Sequence, residues 1–331
     1  MVKISLIVPC YNEEKNLQKM YDALKVNAQK LATSKGYNYE FIFVNDGSKD
    51  QSEMILNELA AEDEHFKFIS FSRNFGKESA MFAGIQYASG DVCAILDADL
   101  QHPPELLGQM MDRYEEGYDQ VIAKRTRTGE AKVRTWLSKR YYKFVNKIMD
   151  VEVEDGIGDF RVLSRKVMDA IADLPENNRF SKGLFSWVGF KTTTIEYENQ
   201  LRDEGESKWG LKNLWNYAID GIVSFNIRPL RAVIYTGVVV TFVSLLYIIY
   251  IFANILLTGV ETPGYFSMIS AVLLLGGIQL ISIGIVGEYV GRIFFEVKKR
   301  PVYLVGETNI VSKPSMNKQD HDLIKMRGTH E

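Results

Sequence analysis

The chain has 331 residues and a formal net charge of −3, which excludes a general electrostatic affinity for nucleic acid. Its two cysteines, Cys10 and Cys93, both fall in predicted strands; this points to buried thiols in a reducing compartment rather than to a disulfide or a metal centre. The N-terminus runs straight into a strand-like segment with no signal peptide, and hydropathy changes sharply near residue 228.

Lys3 to Pro9 is an apolar, β-branched run that predicts a strand, broken at Pro9-Cys10-Tyr11-Asn12-Glu13-Glu14 and followed by a helical pattern to about Lys35. Tyr39 to Asn45 predicts a second strand, stopped by Asp46-Gly47-Ser48, with a helix to about Glu64. Phe66 to Phe71, then Ser72 to Lys77, then a helix to about Ser89 form the third unit. Asp91 to Leu96 is a fourth strand, Pro103 to Gly117 a helix, and Tyr118 to Lys124 a fifth strand. Strands alternating with helices imply an α/β fold, Rossmann-like, with a mainly parallel sheet covered on both faces. Ligands of such sheets bind at the carboxyl ends of the strands.

Neither a G-x-G-x-x-G fingerprint nor a Walker A loop is present, so bound phosphates need another source of positive charge. Asp97 and Asp99 stand two apart just beyond the fourth strand, with Gln101 following. Two carboxylates and an amide oxygen suit a hard divalent cation, Mg²⁺ or Mn²⁺, that keeps its waters and grips a diphosphate. Helix caps and Asx turns are the competing reading for polar turn residues, and Asn12 and Ser48 fit it as well as a ligand role. His102 is read as a support beside the carboxylates, not as a ligand.

From Lys124 to Asp150 basic residues alternate with Trp136, Leu137, Tyr141 and Phe144 at helical spacing, which predicts an amphipathic helix near 130–149 lying on an anionic membrane surface. A helix packed on the sheet is the alternative. A second apolar stripe, from Trp209 to Phe225, predicts another such helix near 209–226. Arg125 and Arg134 would supply phosphate contacts. Ala232 to Leu257 and Phe266 to Gly287 carry no charge, and each reaches the about 20 residues that span a bilayer. Arg228 and Arg231 precede the first run; Arg292, Lys298, Lys299 and Arg300 follow the second, while the connector has no Lys or Arg. The positive-inside rule then puts both termini in the cytoplasm. Gly287 and Gly291 are a weak helix-packing signal, and Glu288 can pair with Arg292. The expected layout is a cytosolic domain over 1–228, a transmembrane domain over 229–291 with spans near 232–257 and 266–290, and a polar cytosolic tail over 292–331, mobile after Val305.

Five motifs occur in register: P-C-Y-N-E-E, V-N-D-G-S, S-R-N-F-G-K-E, D-A-D-L-Q-H-P-P and G-D-F-R-V-L-S-R. Together they resemble family 2 glycosyltransferases of the GT-A fold, in the branch that loads sugars onto polyprenyl phosphate. The resemblance runs from Val2 to about Pro301. It implies an inverting enzyme of the cell membrane that moves a sugar from a UDP-sugar to undecaprenyl phosphate at the cytoplasmic face. By that resemblance Pro9, Tyr11 and Glu13 hold the nucleoside, Asp46 the base or ribose, and Lys77 lies near the nucleotide. Asn45 stands where the family often has a further acid. Asp97, Asp99 and Gln101 match the ligands of metal and diphosphate. Asp159, in a glycine-rich segment that suggests a tight turn, matches the catalytic base. A lipid phosphate has a second pKa of about 6 and is largely ionised at neutral pH, so Asp159 is also read as orienting the acceptor. Arg202, Ser207 and Lys208 resemble a mobile R-x-x-G-x-S-K-[YW] loop that closes on phosphate.

Arg179 to Phe185 and Tyr118 to Ala123 look like Gram-positive members that use N-acetylglucosamine, which puts that sugar first and glucose second. Two spans offer no translocation path, so a separate flippase is implied, and the family includes tetramers. A processive polysaccharide synthase would carry Q-x-x-R-W and more spans. A non-catalytic sensor of nucleotide sugars would not need Asp97, Asp99, Asp159 and Arg202 together.

Overall fold

The computed structural model describes residues 1–126, 157–174, 176, 179, 181–197, 228–258 and 264–311. The two expected membrane-surface helices, and with them Arg134, Arg202, Ser207 and Lys208, lie outside these residues. The chain divides into two compact units. One comprises 1–146, 151–210 and 301–331; the other comprises 147–150 and 211–300.

The first unit is built on eight strands: β1 (Lys3–Cys10), β2 (Asn38–Asn45), β3 (Phe66–Phe71), β4 (Val92–Ile95), β5 (Gln120–Arg125), β6 (Ile157–Ser164), β7 (Thr192–Tyr197) and β8 (Val305–Thr308). They form one sheet in the order β7-β5-β6-β4-β1-β2-β3-β8. Its helices are α1 (Leu17–Lys35), α2 (Ser52–Glu62), α3 (Lys77–Tyr87), α4 (Leu106–Glu115), α5 (Arg165–Ala172) and α6 (Ser181–Trp187). The five expected strands are all present. Alternation sets the two cores. Ile4, Leu6 and Val8 of β1 face one apolar cluster with α1, while Ile7 faces the other with Ala80 and Ala83 of α3. On α1 the buried Leu17, Met20, Tyr21, Leu24, Ala28 and Leu31 recur every three or four residues, one stripe of a helix. Gly36 ends α1 at φ 71°, a left-handed cap whose N–H donates to Ala32 O at 3.0 Å.

The sheet is mixed, and its parallel pairings, β5 with β7 among them, outnumber the antiparallel ones. β1, β2, β3 and β4 pair in parallel, but β6 runs antiparallel to both β4 and β5. The segment around Asp159, expected as a tight turn, is the opening of β6; the glycines at 156 and 158 mask a strand whose continuation, Phe160, Val162 and Leu163, is fully buried.

The tail also differs. β8 pairs antiparallel with β3, Ile69 opposite Thr308. Asn309 closes the pairing: its Oδ1 accepts Phe68 N–H and its Nδ2 donates to Phe66 O, both at 2.9 Å. Tyr303 stacks on Phe71 with centroids 4.9 Å apart and donates to Gln86 Oε1 at 2.6 Å. Apolar Tyr303, Val305 and Ile310 pack on the second core, which a polar-looking sequence concealed.

The second unit contains α7 (Arg228–Thr258) and α8 (Tyr265–Val297). Leu230–Asn254 and Leu274–Val297 are long and apolar enough to cross a membrane. Glu288 and Arg292 pair at 3.1 Å, as their spacing suggested.

Candidate active site

The cleft forms where three turns meet at the strand ends. After β1, Asn12 takes the left-handed region at φ 54°, its N–H donating to Ser48 Oγ and its Oδ1 accepting Lys49 N–H. Ser48 N–H in turn donates to Asn45 Oδ1. Asn12, Asn45 and Ser48 thus lace the first turn to the second, the capping role that competed with ligand binding.

Asp46 performs a related task. Its Oδ1 accepts Phe75 N–H at 2.6 Å and its Oδ2 accepts Gly76 N–H at 2.9 Å, which pins the loop after β3. Burial raises its pKa above the ordinary carboxylate value despite those donors and the nearby Arg73. Gly47, at φ 65°, admits this loop: a Cβ there would lie 2.3 Å from the Arg73 carbonyl carbon.

The pinned loop delivers Lys77, the first residue of α3. Its Nζ lies 2.5 Å from Asp97 Oδ1 and 2.5 Å from Asp159 Oδ2. Asp159 reaches this point because β6 is antiparallel to β4. Ile95 lies opposite Arg161, so two steps beyond β4 and two steps back along β6 bring Asp97 level with Asp159. Burial alone would raise the pKa of either carboxyl group. Lys77 outweighs it in both, aided at Asp97 by His102 and at Asp159 by Lys182, and both pKa values fall below the ordinary range. Burial likewise disfavours the Lys77 cation, and the two carboxylates overcome it, so its pKa is raised.

Behind Asp97 stands His102, as the sequence reading placed it. Its Nε2 is 3.5 Å from Asp97 Oδ2, and its Nδ1 is 2.6 Å from Tyr197 Oη. Gly158 leaves room for the ring: a Cβ there would come within 2.8 Å of His102 Cε1. Tyr197 was not anticipated. Its hydroxyl pKa is pushed up to about 12, first by burial and then by Asp97 and Asp99, against the pull of Arg125. Arg125 is half-buried at the end of β5, opposite Tyr197 in the β5–β7 register. Leu100, at φ 57°, turns the chain so that Gln101 N–H donates to Asp99 Oδ1 at 3.2 Å.

A cleft of about 570 Å³ is lined by Pro9, Tyr11, Glu13, Asp46, Lys77, Asp97, Asp99, Gln101 and Asp159, with Asn74, Gly76 and Ala80 added by the pinned loop and α3. The ring of Tyr11 is 37% exposed, open to stacking by a planar base. Among the described residues no group of three or more His, Cys, Asp or Glu side chains forms a protein-only metal cage. The side chains still fit a hard cation: Asp97 and Asp99 present carboxylate oxygens just beyond a strand end, and the Lys77 ammonium on Asp97 shows that positive charge is accepted there. Water and a diphosphate would complete such a shell.

Residues 5–172 match the model of glycosyl transferase family 2, and residues 228–293 match the GtrB C-terminal hairpin. The chain belongs to glycosyl transferase family 2; it is a glycosyltransferase with a GT-A type of α/β fold. CsbB of Bacillus subtilis (strain 168) is 51% identical over 310 residues, covering 94% of this chain and 93% of CsbB. The SfII prophage-derived bactoprenol glucosyl transferase of Shigella flexneri is 43% identical over 309 residues, 93% of this chain and 99% of that protein. Glucosyl-3-phosphoglycerate synthase from Mycobacterium tuberculosis is a distant structural likeness, 18% identical over 67% of this chain and 78% of its own, with a TM-score of 0.44.

Proposed function

We propose that this enzyme transfers glucose from UDP-glucose to a polyprenyl phosphate, with inversion, at the cytoplasmic face of a membrane. The observation that carries the reaction class is the convergence of Asp97 and Asp159 on Lys77 within a cleft that also holds Asp99 and Tyr11. The acceptor is supported by the bactoprenol glucosyl transferases, similar over nearly their whole length, and by the matching C-terminal hairpin. The same relatives favour glucose and reverse the order in which the sequence reading ranked glucose and N-acetylglucosamine.

Tyr11 stacks on the uracil, with Pro9 and Glu13 beside it, and Asp46 supports them through the loop it pins. Asp97, Asp99 and Gln101 would hold Mg²⁺ or Mn²⁺, which supplies charge neutralisation of the departing diphosphate. Lys77 leaves its bridging position to follow the donor's phosphates. An acceptor phosphate oxygen forms a bond to the anomeric carbon as the bond from that carbon to the diphosphate breaks, and UDP departs with the electron pair. The acceptor is already largely ionised, with a second pKa of about 6, so Asp159 orients charge at the reacting centre and no proton needs to move. Arg125, Arg134, Arg202, Ser207 and Lys208 are assigned to phosphate contacts.

The two helices are proposed to span the membrane with both ends on the side of the catalytic sheet. Support comes from the chain path, which leaves that sheet after β7 and rejoins it at β8. A homo-oligomer and a separate flippase complete the proposal. The test is a donor panel: detergent-purified protein with undecaprenyl phosphate, Mg²⁺ or Mn²⁺, and UDP-glucose, UDP-N-acetylglucosamine or GDP-mannose. A lipid-linked sugar from UDP-glucose is expected; product from UDP-N-acetylglucosamine alone would overturn the sugar, and no lipid product from any donor would overturn the acceptor.

A further inference from the structure

Apart from the donor cleft, which Asp159 lines, there is a cavity of about 220 Å³ whose wall includes Ile157, Arg161, Lys182, Phe185 and Phe190. Ile157 and Arg161 flank Asp159 at alternate positions of β6 and so share its face of the sheet. The Arg161 guanidinium is committed to structure, 3.9 Å over the Phe185 ring and donating to Gly158 O at 3.2 Å.

Lys182 is differently held. It is half-exposed and is the second residue of α6, whose first residue, Ser181, donates both its N–H (3.1 Å) and its hydroxyl to Glu78 Oε2. Glu78 is the neighbour of Lys77, so one turn of α3 sets both lysines relative to Asp159. Just upstream, Arg179 donates to the carbonyls of Ile171 and Leu174 and stacks 3.6 Å over Phe82, which fixes the approach to α6. The Lys182 charge reaches Asp159, where it adds to Lys77 in holding the carboxylate ionised against burial.

The proposed reaction brings a second anion, the acceptor phosphate, up to a pair of carboxylates. Lys77 is shared between those carboxylates and faces the donor, so a further cation near Asp159 would add to the phosphate contacts assigned above and offset the repulsion. We propose that Lys182 binds the acceptor phosphate, seating it in the second cavity beside Asp159, with Ile157, Phe185 and Phe190 against the first isoprene unit. This rests on the polyprenyl phosphate reading above.

Lys182→Gln and Lys182→Arg test it, with KM measured separately for undecaprenyl phosphate and for UDP-glucose. Lys182→Gln is expected to raise the KM for the lipid about 10- to 100-fold, the range of one charge-assisted hydrogen bond, with the donor KM within about twofold. Lys182→Arg is expected to restore most of the lipid affinity, which a merely structural loss would not do, and slow hydrolysis of UDP-glucose without lipid should persist in both variants. A raised donor KM, an unchanged lipid KM, or a failure of arginine to rescue would overturn the assignment. Wild-type protein that makes lipid-linked sugar while Lys182→Gln matches it condemns only Lys182; wild-type protein that makes none condemns the acceptor reading and this inference with it.

Discussion

In the sheet unit Phe41, Ile42 and Phe43 are wholly buried, whereas in the helical unit Phe252 and Leu280 show 65% and 72% of their surface. The residue types are alike; the solvent is not. Water drives the first set inward, while the outward apolar surface of the second suits lipid tails, in keeping with the proposed membrane spans. The sheet unit therefore carries its own fold and its own chemistry, while the helices contribute apolar surface and few polar groups. Perturbations of one unit should leave the other measurably intact.

The sharpest separation comes from the carboxylates. Asp99→Ala or Asp159→Ala should lower sugar transfer about 10³-fold or more, on the scale of losing a preorganised electrostatic group, while the protein still fractionates with membranes. Near-normal turnover by either variant would remove its assigned role. Phe43→Ala should destabilise the sheet unit by about 3–5 kcal/mol, read as a lowered denaturation midpoint, without releasing the protein from the bilayer. Leu246→Arg should do the reverse. At the centre of a span it costs about 2.5–3.5 kcal/mol of insertion, visible as alkali-extractable protein whose UDP binding is unchanged. If UDP binding fell with it, the independence of the units would be wrong. The smallest effect is expected at the strand that follows the helices. Asn309→Ala leaves the Phe68 N–H and Phe66 carbonyl without their side-chain partner and should cost about 1–3 kcal/mol, seen as faster protease cleavage after residue 300 with little change in KM.

The unevenness of the sequence signal follows the same physics. β1 to β5 were legible because each is a continuous apolar run ending in a polar turn. Asp97 and Asp99 were legible because carboxylates at such an end have few structural uses. β6 was hidden by the glycines in its sequence; at Gly158 the absent side chain makes room for His102 rather than for a turn. The meeting of Asp97 with Asp159 depends on an antiparallel register that no local pattern encodes. Resemblance supplied Asp159; only the fold explains its position. The Tyr197–His102–Asp97 chain joins residues 100 apart along the sequence, and Lys182 was passed over because its neighbour relations run through Glu78 on another helix. β8 escaped because a four-residue edge strand leaves almost no periodicity to read.

That edge strand turns the polypeptide into a closed circuit. The path from β7 through both long helices and back to β8 begins and ends in the same sheet, as the proposed pair of crossings requires. One cut anywhere between β7 and the first helix would leave two fragments still joined through the β3–β8 pairing, Asn309 and the Tyr303–Phe71 stack. The catalytic sheet is moored at two points, and a single nick would not set it adrift.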